Sequence, residues 1–406
     1  MSDLASEPSN RLWAIHELGR AITARAGELE ELALAALPFP RRVIRADIAL
    51  AAQRLAAFGD LLPALAGRGP VGTVALALPG NAILSNPVAA VGSAYLAGNR
   101  ARVRLPQRRK QWADVVAELL RTAFGQAVVS HDQPGSAFID GALADPETGV
   151  LLVFGADDWM LPYEDAVRHS ATKVIFEGPG KDPFLVLAGA DVAEAARAAA
   201  VSGTYNSGRA CTAPERIYVD ERIYDQFVDE LVTAANALPV GTPDDETTWV
   251  GPLSPTDAKR VRDQIAQAVA AGARVLTGEG SGSLVPPTVL VDVDHTMDVL
   301  RAETFGPVLP VLPVGTAAQA VALAEDSPYG LGATVYGGPD WVPERLARSH
   351  GDVCRDETWL DRRVRLPVAP YGGRRRSGWV WEWHANQFLR RDGPRLCVTE
   401  LSRPRP

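Results

Sequence analysis

The chain has 406 residues, of which 47% are hydrophobic and 22% charged, a composition typical of a soluble globular protein with two or three domains. Its 41 basic and 49 acidic side chains give a net charge of −8, which argues against a general nucleic-acid or anionic-membrane surface. The three cysteines, Cys211, Cys354 and Cys397, are too few and too scattered for a disulfide framework or a zinc cluster, so we expect no metal. We find neither a secretory signal nor an apolar run of the ~20 residues that a membrane helix needs, and we expect a cytoplasmic protein.

The N-terminal part has helical periodicity. Apolar residues recur at spacings of three, four or seven through Asn10–Pro38, and a second amphipathic helix is predicted over Val43–Phe58. The pattern changes at Val71–Leu78, a nearly continuous apolar run typical of a strand buried on both faces. Strands and helices then alternate. The predicted segments are Ile83–Ala97, Arg100–Leu105, Gln111–Ala123, Gln126–Ser130, Ser136–Leu143 and Val150–Phe154.

A second alternating block begins at Lys173–Phe176. Its predicted strands are Phe184–Leu187, Arg216–Val219, Thr288–Val293, Val308–Val314 and Gly332–Tyr336, and its predicted helices are Asp191–Ser202, Glu221–Ala237, Pro255–Ala271 and Ala317–Glu325. Alternation of this length indicates βαβ units and a parallel sheet. Parallel sheets of this kind bind ligands at the carboxyl ends of their strands, so the turns that follow the strands are the candidate sites.

Cys211 lies in a turn among small residues, at the mouth of the predicted strand Arg216–Val219. This placement leaves its sulfur accessible to a ligand. A thiol with the usual pKa of about 8.5 is mostly protonated at neutral pH, so Cys211 acts as a nucleophile only where its surroundings favour the thiolate. Taken alone, the stretch favours the alternative of a small buried hydrophobic residue.

Three other turns carry a polar residue after an apolar strand. Asn81 follows Pro79-Gly80, Glu177 opens Glu-Gly-Pro-Gly-Lys181, and Glu303 opens Glu-Thr-Phe-Gly-Pro307. Each motif alone is explained equally well as an ordinary turn residue, a strand-end acid or a loop.

Together these motifs resemble the aldehyde dehydrogenase superfamily over most of the chain. The nucleophile loop of that family, Asn-x-Gly-Gln-x-Cys followed by Arg-x-x-Val, is matched by residues 206–219, with Arg209 in place of the glutamine. The number of residues between Glu177 and Cys211 equals the usual sequence spacing between the glutamate and the cysteine of the family. The family motifs Ala-Gly-Asn and Pro-Phe-Gly-Gly…Ser-Gly resemble residues 97–99 and 370–378, with Tyr371 in place of the phenylalanine.

The resemblance implies an α/β fold with a Rossmann-type cofactor domain and a second α/β catalytic domain. The cofactor domain with its N-terminal helices would span residues 1–178 and the catalytic domain residues 179–345, while residues 346–406 would return to the cofactor domain and end in an oligomerisation tail. The implied reaction is the oxidation of an aldehyde to a carboxylic acid, with NADP or NAD as the cofactor, through a cysteine thiohemiacetal and a thioester.

Residue roles follow from the same resemblance. Cys211 would attack the carbonyl, the Asn81 amide and the Cys211 backbone N–H would stabilise the oxyanion, and Glu177 would activate water. The residues with implied cofactor roles are Glu303 for the nicotinamide ribose, Phe305 beside the ring, and Lys181 to position Glu177 or the cofactor. The substrate entrance would be formed by residues outside these motifs, such as Tyr205 and Trp359, and they do not identify the aldehyde.

The chain departs from the family in its cofactor half. The family's Lys-Pro-Ser-Glu is replaced by Arg104-Leu-Pro-Gln107, which removes the acid that would repel a 2′-phosphate, and the cations at 108–110, beginning with Arg108, would attract one. We therefore expect NADP to be accepted; the alternative is that these cations face solvent.

The turn expected to receive the pyrophosphate, at Gly155 and Ala156, continues into Asp157 and Asp158 where the family has a hydroxyl donor. Carboxylates there disfavour a phosphate unless one caps the following helix and points away; otherwise cofactor binding is weak or rearranged.

Assembly and function both have open alternatives. Only Gly59–Pro70 separates the second helix from the Val71 strand, which is too short for the family's usual strand-exchange hairpin, whereas Leu396–Leu401 is available as an edge strand. We expect a homodimer and regard a tetramer as doubtful. The alternatives to an aldehyde dehydrogenase are a relative that forms or reduces coenzyme A thioesters, which Glu177 argues against, and a cofactor-free descendant used for binding.

Overall fold

The computed structural model describes residues 7–81, 83–278, 280–393 and 397–405, without the side chain of Asp157. The α-helices in these ranges are α1 (Pro8–Ala24), α2 (Ala26–Ala36), α3 (Arg41–Ala56), α4 (Ser85–Leu96), α5 (Lys110–Phe124), α6 (Gly135–Ala144), α7 (Asp157–Met160), α8 (Glu164–Arg168), α9 (Val192–Thr204), α10 (Tyr224–Asn236), α11 (Pro255–Ala270), α12 (Asp298–Arg301), α13 (Ala317–Glu325), α14 (Trp341–Leu346) and α15 (Trp359–Arg365).

The strands in the same ranges are β1 (Arg68–Pro70), β2 (Thr73–Ala77), β3 (Arg100–Arg104), β4 (Val128–His131), β5 (Thr148–Phe154), β6 (Lys173–Glu177), β7 (Asp182–Val186), β8 (Pro214–Asp220), β9 (Arg274–Val275), β10 (Thr288–Val291), β11 (Val308–Val314), β12 (Tyr329–Gly330), β13 (Gly332–Tyr336), β14 (Asp352–Arg355), β15 (Arg374–Arg375), β16 (Gly378–His384), β17 (Gln387–Asp392) and β18 (Ser402–Pro404).

Two seven-stranded sheets organise the molecule. The first has the order β17-β16-β6-β5-β2-β3-β4, and its strands β2 to β6 are parallel. The second has the order β14-β13-β7-β8-β11-β10-β9 and is parallel except for β9. Helices cover both sheets, so the predicted α/β fold with two parallel sheets is confirmed. The division at residues 178 and 345 remains a proposal; β14 joins the second sheet although it lies after residue 345.

The predicted helix over Asn10–Pro38 consists of two helices, α1 and α2, separated at Arg25. The break reorients the apolar stripe, so that Ile15 and Ile22 of α1 and Leu29 of α2 are all buried, and both helices pack on α3. The segment Arg41–Leu65, which contains α3, is long and apolar enough to cross a membrane by length and composition alone. Since α3 packs against α1, α2 and α4, we interpret this segment as a core helix.

The C-terminal segment contains a hairpin that the sequence patterns do not predict. Strands β16 and β17 are joined by Ala385 and Asn386, both with positive φ, as in a two-residue type I′ turn. Strand β16 pairs antiparallel with β6, and the ring of Trp379 stacks on Phe176 at 4.8 Å. The hairpin therefore extends the first sheet beyond the strand that ends in Glu177.

The predicted edge strand at Leu396–Leu401 requires a correction. Leu396 lies outside the described residues, residues 397–401 form turns, and the strand is β18. It pairs with β1 of the same chain, Gly69 opposite Arg403. The C-terminal tail is thus held by β1, which lies within the short connection Gly59–Pro70 of the same chain.

Candidate active site

The nucleophile loop begins with three consecutive residues in the left-handed region. Asn206, Ser207 and Gly208 have φ values of 53°, 59° and 74°. A β-carbon on Gly208 would lie 2.1 Å from the carbonyl carbon of Gly306, so no other residue fits there. This conformation turns the chain sharply after α9 and brings Cys211 to the start of β8.

Arg209, which replaces the family's glutamine, fixes this loop to the N-terminal helices. Its guanidinium donates hydrogen bonds to the carbonyls of Asn206, Pro252 and Pro38 at 2.9, 3.2 and 3.0 Å, and it lies over the Phe39 ring. Burial lowers the pKa of Arg209 to about 9. The predicted substitution in the motif therefore has a structural role, since one side chain joins three segments distant in sequence.

Cys211 is half-buried and lines a cavity of about 250 Å³. A β-carbon on Gly180 would lie 1.8 Å from the Cys211 carbonyl oxygen, so the glycine allows the Glu177–Lys181 turn to contact the nucleophile loop. The Cys211 sulfur lies 3.1 Å from the Tyr371 hydroxyl. Burial raises the pKa of Cys211 to about 12, so the resting sulfur is a thiol at neutral pH.

Asn81 lines the same cavity as Cys211. Its amide nitrogen Nδ2 lies 3.4 Å from the Arg209 carbonyl oxygen, two residues before the cysteine. This long hydrogen bond directs the amide towards the nucleophile loop. The structure thus brings together two of the three predicted catalytic residues at one cavity wall.

Glu177 ends β6 and is buried, at 2% exposure, outside the set of residues that line the cavity. Neither carboxylate oxygen has a hydrogen-bond partner of ordinary geometry among the described residues. Burial raises its pKa well above the usual value, and the Gly373 backbone N–H opposes this shift. A carboxyl buried in this way holds its proton, and ionisation of Glu177 would place a negative charge close enough to Cys211 to disfavour the thiolate.

Lys181 is buried, and its hydrogen-bond partners are residues other than Glu177. Its ammonium donates to Glu215 at 2.8 Å and to the Thr304 hydroxyl at 2.9 Å, while the Glu215 carboxylate also accepts from the Thr304 and Phe305 backbone N–H groups. Lys181 therefore does not position Glu177 by a hydrogen bond; Lys181 and Glu215 hold the loop that carries Glu303. The other expected role of Lys181, positioning the cofactor, stays a prediction. The sequence patterns missed Glu215, although an acid within an apolar strand was the available signal.

The nicotinamide end of a dinucleotide would lie beside this loop. Gly180 donates its backbone N–H to the Glu303 carboxylate at 3.0 Å, next to the point where Gly180 contacts Cys211. Burial, with the nearby Glu215, raises the pKa of Glu303 to about 8. The hydroxyl groups of a ribose can donate hydrogen bonds to a half-buried carboxyl group such as that of Glu303. This part of the site therefore fits the nicotinamide ribose of the cofactor.

The turn at Gly155 and Ala156, where the pyrophosphate is expected, offers less to an anion but is compatible with the cofactor. Gly155 and Ala156 are exposed, and α7, which follows, is a single turn with little dipole to offer an anion. Asp158 forms an ion pair with Arg376 at 2.8 Å, so its negative charge is balanced by a cation. The Trp159 ring lies against Gly155 and Gly135 and forms a wall beside the turn.

The residues predicted to contact the adenine ribose are at the carboxyl end of β3. Arg104 is half-buried and donates to the Gln133 carbonyl at 3.3 Å, and Gln107 donates to the Leu105 carbonyl at 3.2 Å. Arg108 is exposed. Of the three, Arg108 is the residue with a guanidinium open to a phosphate group, while Arg104 contributes to the wall formed by Trp159.

The cavity that leads to Cys211 contains arginines and aromatic residues. Arg363 lies over the rings of Tyr205 and Trp359, both expected to shape the substrate entrance, and donates to the Tyr205 hydroxyl at 2.9 Å. Arg54 donates to the Ser85 carbonyl and the Asn86 side chain at 3.2 and 3.0 Å. The Nε atoms of both arginines and Nε1 of Trp359 are buried without a hydrogen-bond partner in the described residues. The sequence patterns did not identify Arg54 or Arg363, because neither belongs to a motif.

Comparison with known proteins agrees with this geometry. The model of the aldehyde dehydrogenase family matches residues 5–389. Succinate-semialdehyde dehydrogenase [NADP(+)] 1 of Mycobacterium ulcerans (strain Agy99) is 30% identical over 323 residues, which are 76% of this chain and 69% of that protein. Lactaldehyde dehydrogenase of Escherichia coli (strain K12) is 43% identical over 171 residues, which are 41% of this chain and 36% of that protein.

Solved structures agree in fold. A variant of aldehyde dehydrogenase C from Pseudomonas syringae, complexed with NAD⁺ and octanal, is 26% identical with a TM-score of 0.86, covering 98% of this chain and 84% of that chain. An NADP-dependent enzyme of Escherichia coli, 24% identical, has a TM-score of 0.87 over 98% of this chain and 85% of that chain. The chain therefore belongs to the aldehyde dehydrogenase family, and its reaction is the NAD(P)-dependent oxidation of an aldehyde.

Proposed function

We propose that Cys211 is the nucleophile, Asn81 the oxyanion donor and Glu177 the base of this oxidation, and that the aldehyde carries a carboxylate. The observation that carries the proposal is the placement of the Asn81 amide against the Cys211 loop at a shared cavity. The positions of three unpartnered N–H donors in that cavity support the substrate class.

The steps follow from the positions of these residues. The Cys211 thiol loses its proton to solvent and its sulfur bonds to the aldehyde carbon, while the π electrons of the carbonyl move onto oxygen. That oxygen accepts hydrogen bonds from Asn81 Nδ2 and the Cys211 backbone N–H. The bound nicotinamide supplies a hydride acceptor, and loss of hydride from that carbon leaves a thioester. Glu177 takes a proton from water as the water oxygen bonds to the thioester carbon, and the Cys211 sulfur leaves as the acid is released.

The charge of the cavity supports an anionic substrate. Arg362 lines the cavity but is already paired with Asp352 and Glu357, at 3.1 and 3.3 Å. Arg54 and Arg363 form no ion pair within the described residues. Burial lowers the pKa of Arg54 to about 10, with a further contribution from the like charge of Arg363 and against the opposing charge of Asp47. Buried donors without partners are costly, and a carboxylate satisfies several of them at once. The succinate-semialdehyde dehydrogenases among the relatives act on such an aldehyde by name.

The use of NADP expected from the sequence is retained as part of the proposal. The exposed Arg108 and the uncharged Gln107 favour a 2′-phosphate, and the names of the mycobacterial relatives include NADP(+). A cytoplasmic homodimer also remains a proposal from the sequence.

The oxyanion role predicts the effect of Asn81→Ala. Loss of one oxyanion donor is expected to lower kcat by about 10²–10³-fold, because the developing charge then lacks a preorganised donor. Steady-state kinetics with a saturating cofactor measure this effect, and calorimetric titration with NADP checks that cofactor binding is unchanged. Cys211→Ala should abolish turnover and Cys354→Ser, at a buried cysteine elsewhere, should not. Nearly full turnover in Asn81→Ala would overturn the assignment.

The base role predicts the pH dependence of thioester hydrolysis. Since the pKa of Glu177 is raised, the basic form increases as pH rises, and steady-state turnover should increase by about tenfold per pH unit below that pKa. Glu177→Gln should keep a rapid burst of reduced cofactor and lose about 10²–10⁴-fold in steady-state rate. Quenched-flow measurement without coenzyme A tests both points. Unchanged turnover in Glu177→Gln, or acid release that requires coenzyme A, would contradict the role.

The carboxylate proposal predicts selectivity between two four-carbon aldehydes, succinate semialdehyde and butanal. Arg363→Met and Arg54→Met should each lower kcat/KM for the semialdehyde by about 10–100-fold, as expected for a lost hydrogen bond to a charge, with a much smaller effect on butanal. Arg365→Met, which removes an exposed cation of α15 paired with Glu357, is the control. Equal losses for both aldehydes would indicate a structural role for the arginines.

The cofactor proposal predicts that Arg108→Ala lowers kcat/KM for NADP by about tenfold, since one charge-assisted contact to phosphate is lost, while NAD is little affected. Lys110→Ala is the control, because that nearby cation is already paired with Asp114 and Asp132. Initial rates with each cofactor measure the ratio. An equal effect of Arg108→Ala on NAD and NADP would remove the proposed phosphate contact.

A further inference from the structure

The Tyr371 hydroxyl is in direct contact with the proposed nucleophile. It lies 3.1 Å from the Cys211 sulfur, within the distance of a hydrogen bond to sulfur, and both residues line the cavity. Tyr371 follows Pro370 in the segment between α15 and β16, so it approaches Cys211 from the C-terminal part of the chain. The corresponding residue of the family motif, phenylalanine, has no hydroxyl.

Protonation states define the direction of this hydrogen bond. Burial and the nearby Cys211 raise the pKa of Tyr371 well above its usual value, so the phenol keeps its proton at neutral and moderately alkaline pH. Such a phenol cannot act as a base toward the thiol. It is a donor, and its hydrogen bond is strongest when the sulfur is ionised.

The other groups that act on Cys211 disfavour ionisation of its thiol. Glu303, Asp182 and Glu177 lie close enough to the sulfur that their carboxyl groups, when ionised, raise the pKa of Cys211 in addition to burial. Tyr371 acts in the opposite direction and lowers it. Among the groups that the structure describes as acting on this thiol, Tyr371 is the one that favours the thiolate.

We propose that Tyr371 is a further catalytic residue, whose hydroxyl donates a hydrogen bond to the Cys211 thiolate and holds the sulfur in the cavity for attack. The inference rests on the proposed function in one respect, the identity of Cys211 as the nucleophile. It assigns to this chain a thiolate donor from the C-terminal segment, in addition to the Asn81 amide that serves the oxyanion.

The expected size of the effect follows from thiol chemistry. If removal of the donor raises the pKa of Cys211 by about one unit, the thiolate population at neutral pH falls about tenfold. The more basic thiolate reacts about threefold faster, since nucleophilicity rises with a Brønsted coefficient of about 0.4–0.5, so the net reactivity falls about threefold.

The test is alkylation of Cys211 by iodoacetamide, in which the sulfur–carbon bond forms and iodide leaves, in the cofactor-free protein. Tyr371→Phe removes only the hydroxyl and is expected to react about threefold more slowly at neutral pH, with the acidic limb of kcat/KM shifted about one unit upward. Peptide mass spectrometry separates Cys211 from Cys354 and Cys397. Tyr218→Phe, at a buried tyrosine bonded to His295, is the control and should react as the wild type does.

A second measurement covers the ionisation itself. The ultraviolet absorbance of the thiolate, taken as the difference from Cys211→Ser, should appear at higher pH in Tyr371→Phe than in the wild type. Equal alkylation rates and coincident titrations would overturn the inference even where turnover depends on Cys211. Conversely, turnover that survives Cys211→Ala would overturn the proposed function, while the alkylation rates still report on the hydrogen bond.

Discussion

Close backbone contact at two glycines is the constraint on which the site depends. At Gly180 the Glu177–Lys181 turn contacts the Cys211 carbonyl, and at Gly208 the nucleophile loop contacts Gly306 of the Glu303 loop. Any side chain at either position would force these segments apart by more than an ångström, because a β-carbon would overlap main-chain atoms. The turn after β6, the loop between α9 and β8 and the loop between α12 and β11 are thereby held within one small volume. The functional side chains can meet only because these glycines have none.

This packing also determines the electrostatics. Close packing removes solvent from three titratable groups of the site. The pKa of Glu177 therefore rises well above its usual value, that of Glu303 rises to about 8, and that of Cys211 rises to about 12. The resting site therefore has its sulfur and Glu177 protonated at neutral pH. Glu215, Glu303 and Cys211 each have a hydrogen-bond partner nearby. Lys181 donates to Glu215, the Gly180 backbone N–H donates to Glu303, and the Tyr371 hydroxyl contacts the Cys211 sulfur.

The sequence predicts those parts of the fold that have a local signature. The parallel strands are continuous apolar runs, and the nucleophile loop is identified by small residues and by its order relative to Asn81 and Glu177. The hairpin of β16 and β17 was missed because Gly378–His384 carries tryptophans whose burial depends on a distant strand, β6. Glu215 and Arg363 were missed for a similar reason: their roles arise from contacts with residues far away in sequence, which periodicity does not report.

The weak phosphate turn and the basic segment after β3 have a common explanation. A single-turn helix at α7 offers little dipole, and Arg376 is already engaged by Asp158, so the turn at Gly155 contributes less to binding a dinucleotide than a long helix would. Affinity must then come from the two ends of the cofactor. In the proposed binding mode Glu303 would accept a hydrogen bond from the nicotinamide ribose at one end, and the exposed Arg108 would bind an additional phosphate at the other. In that binding mode Arg108 would favour NADP over NAD, since only NADP carries the additional phosphate that Arg108 would bind.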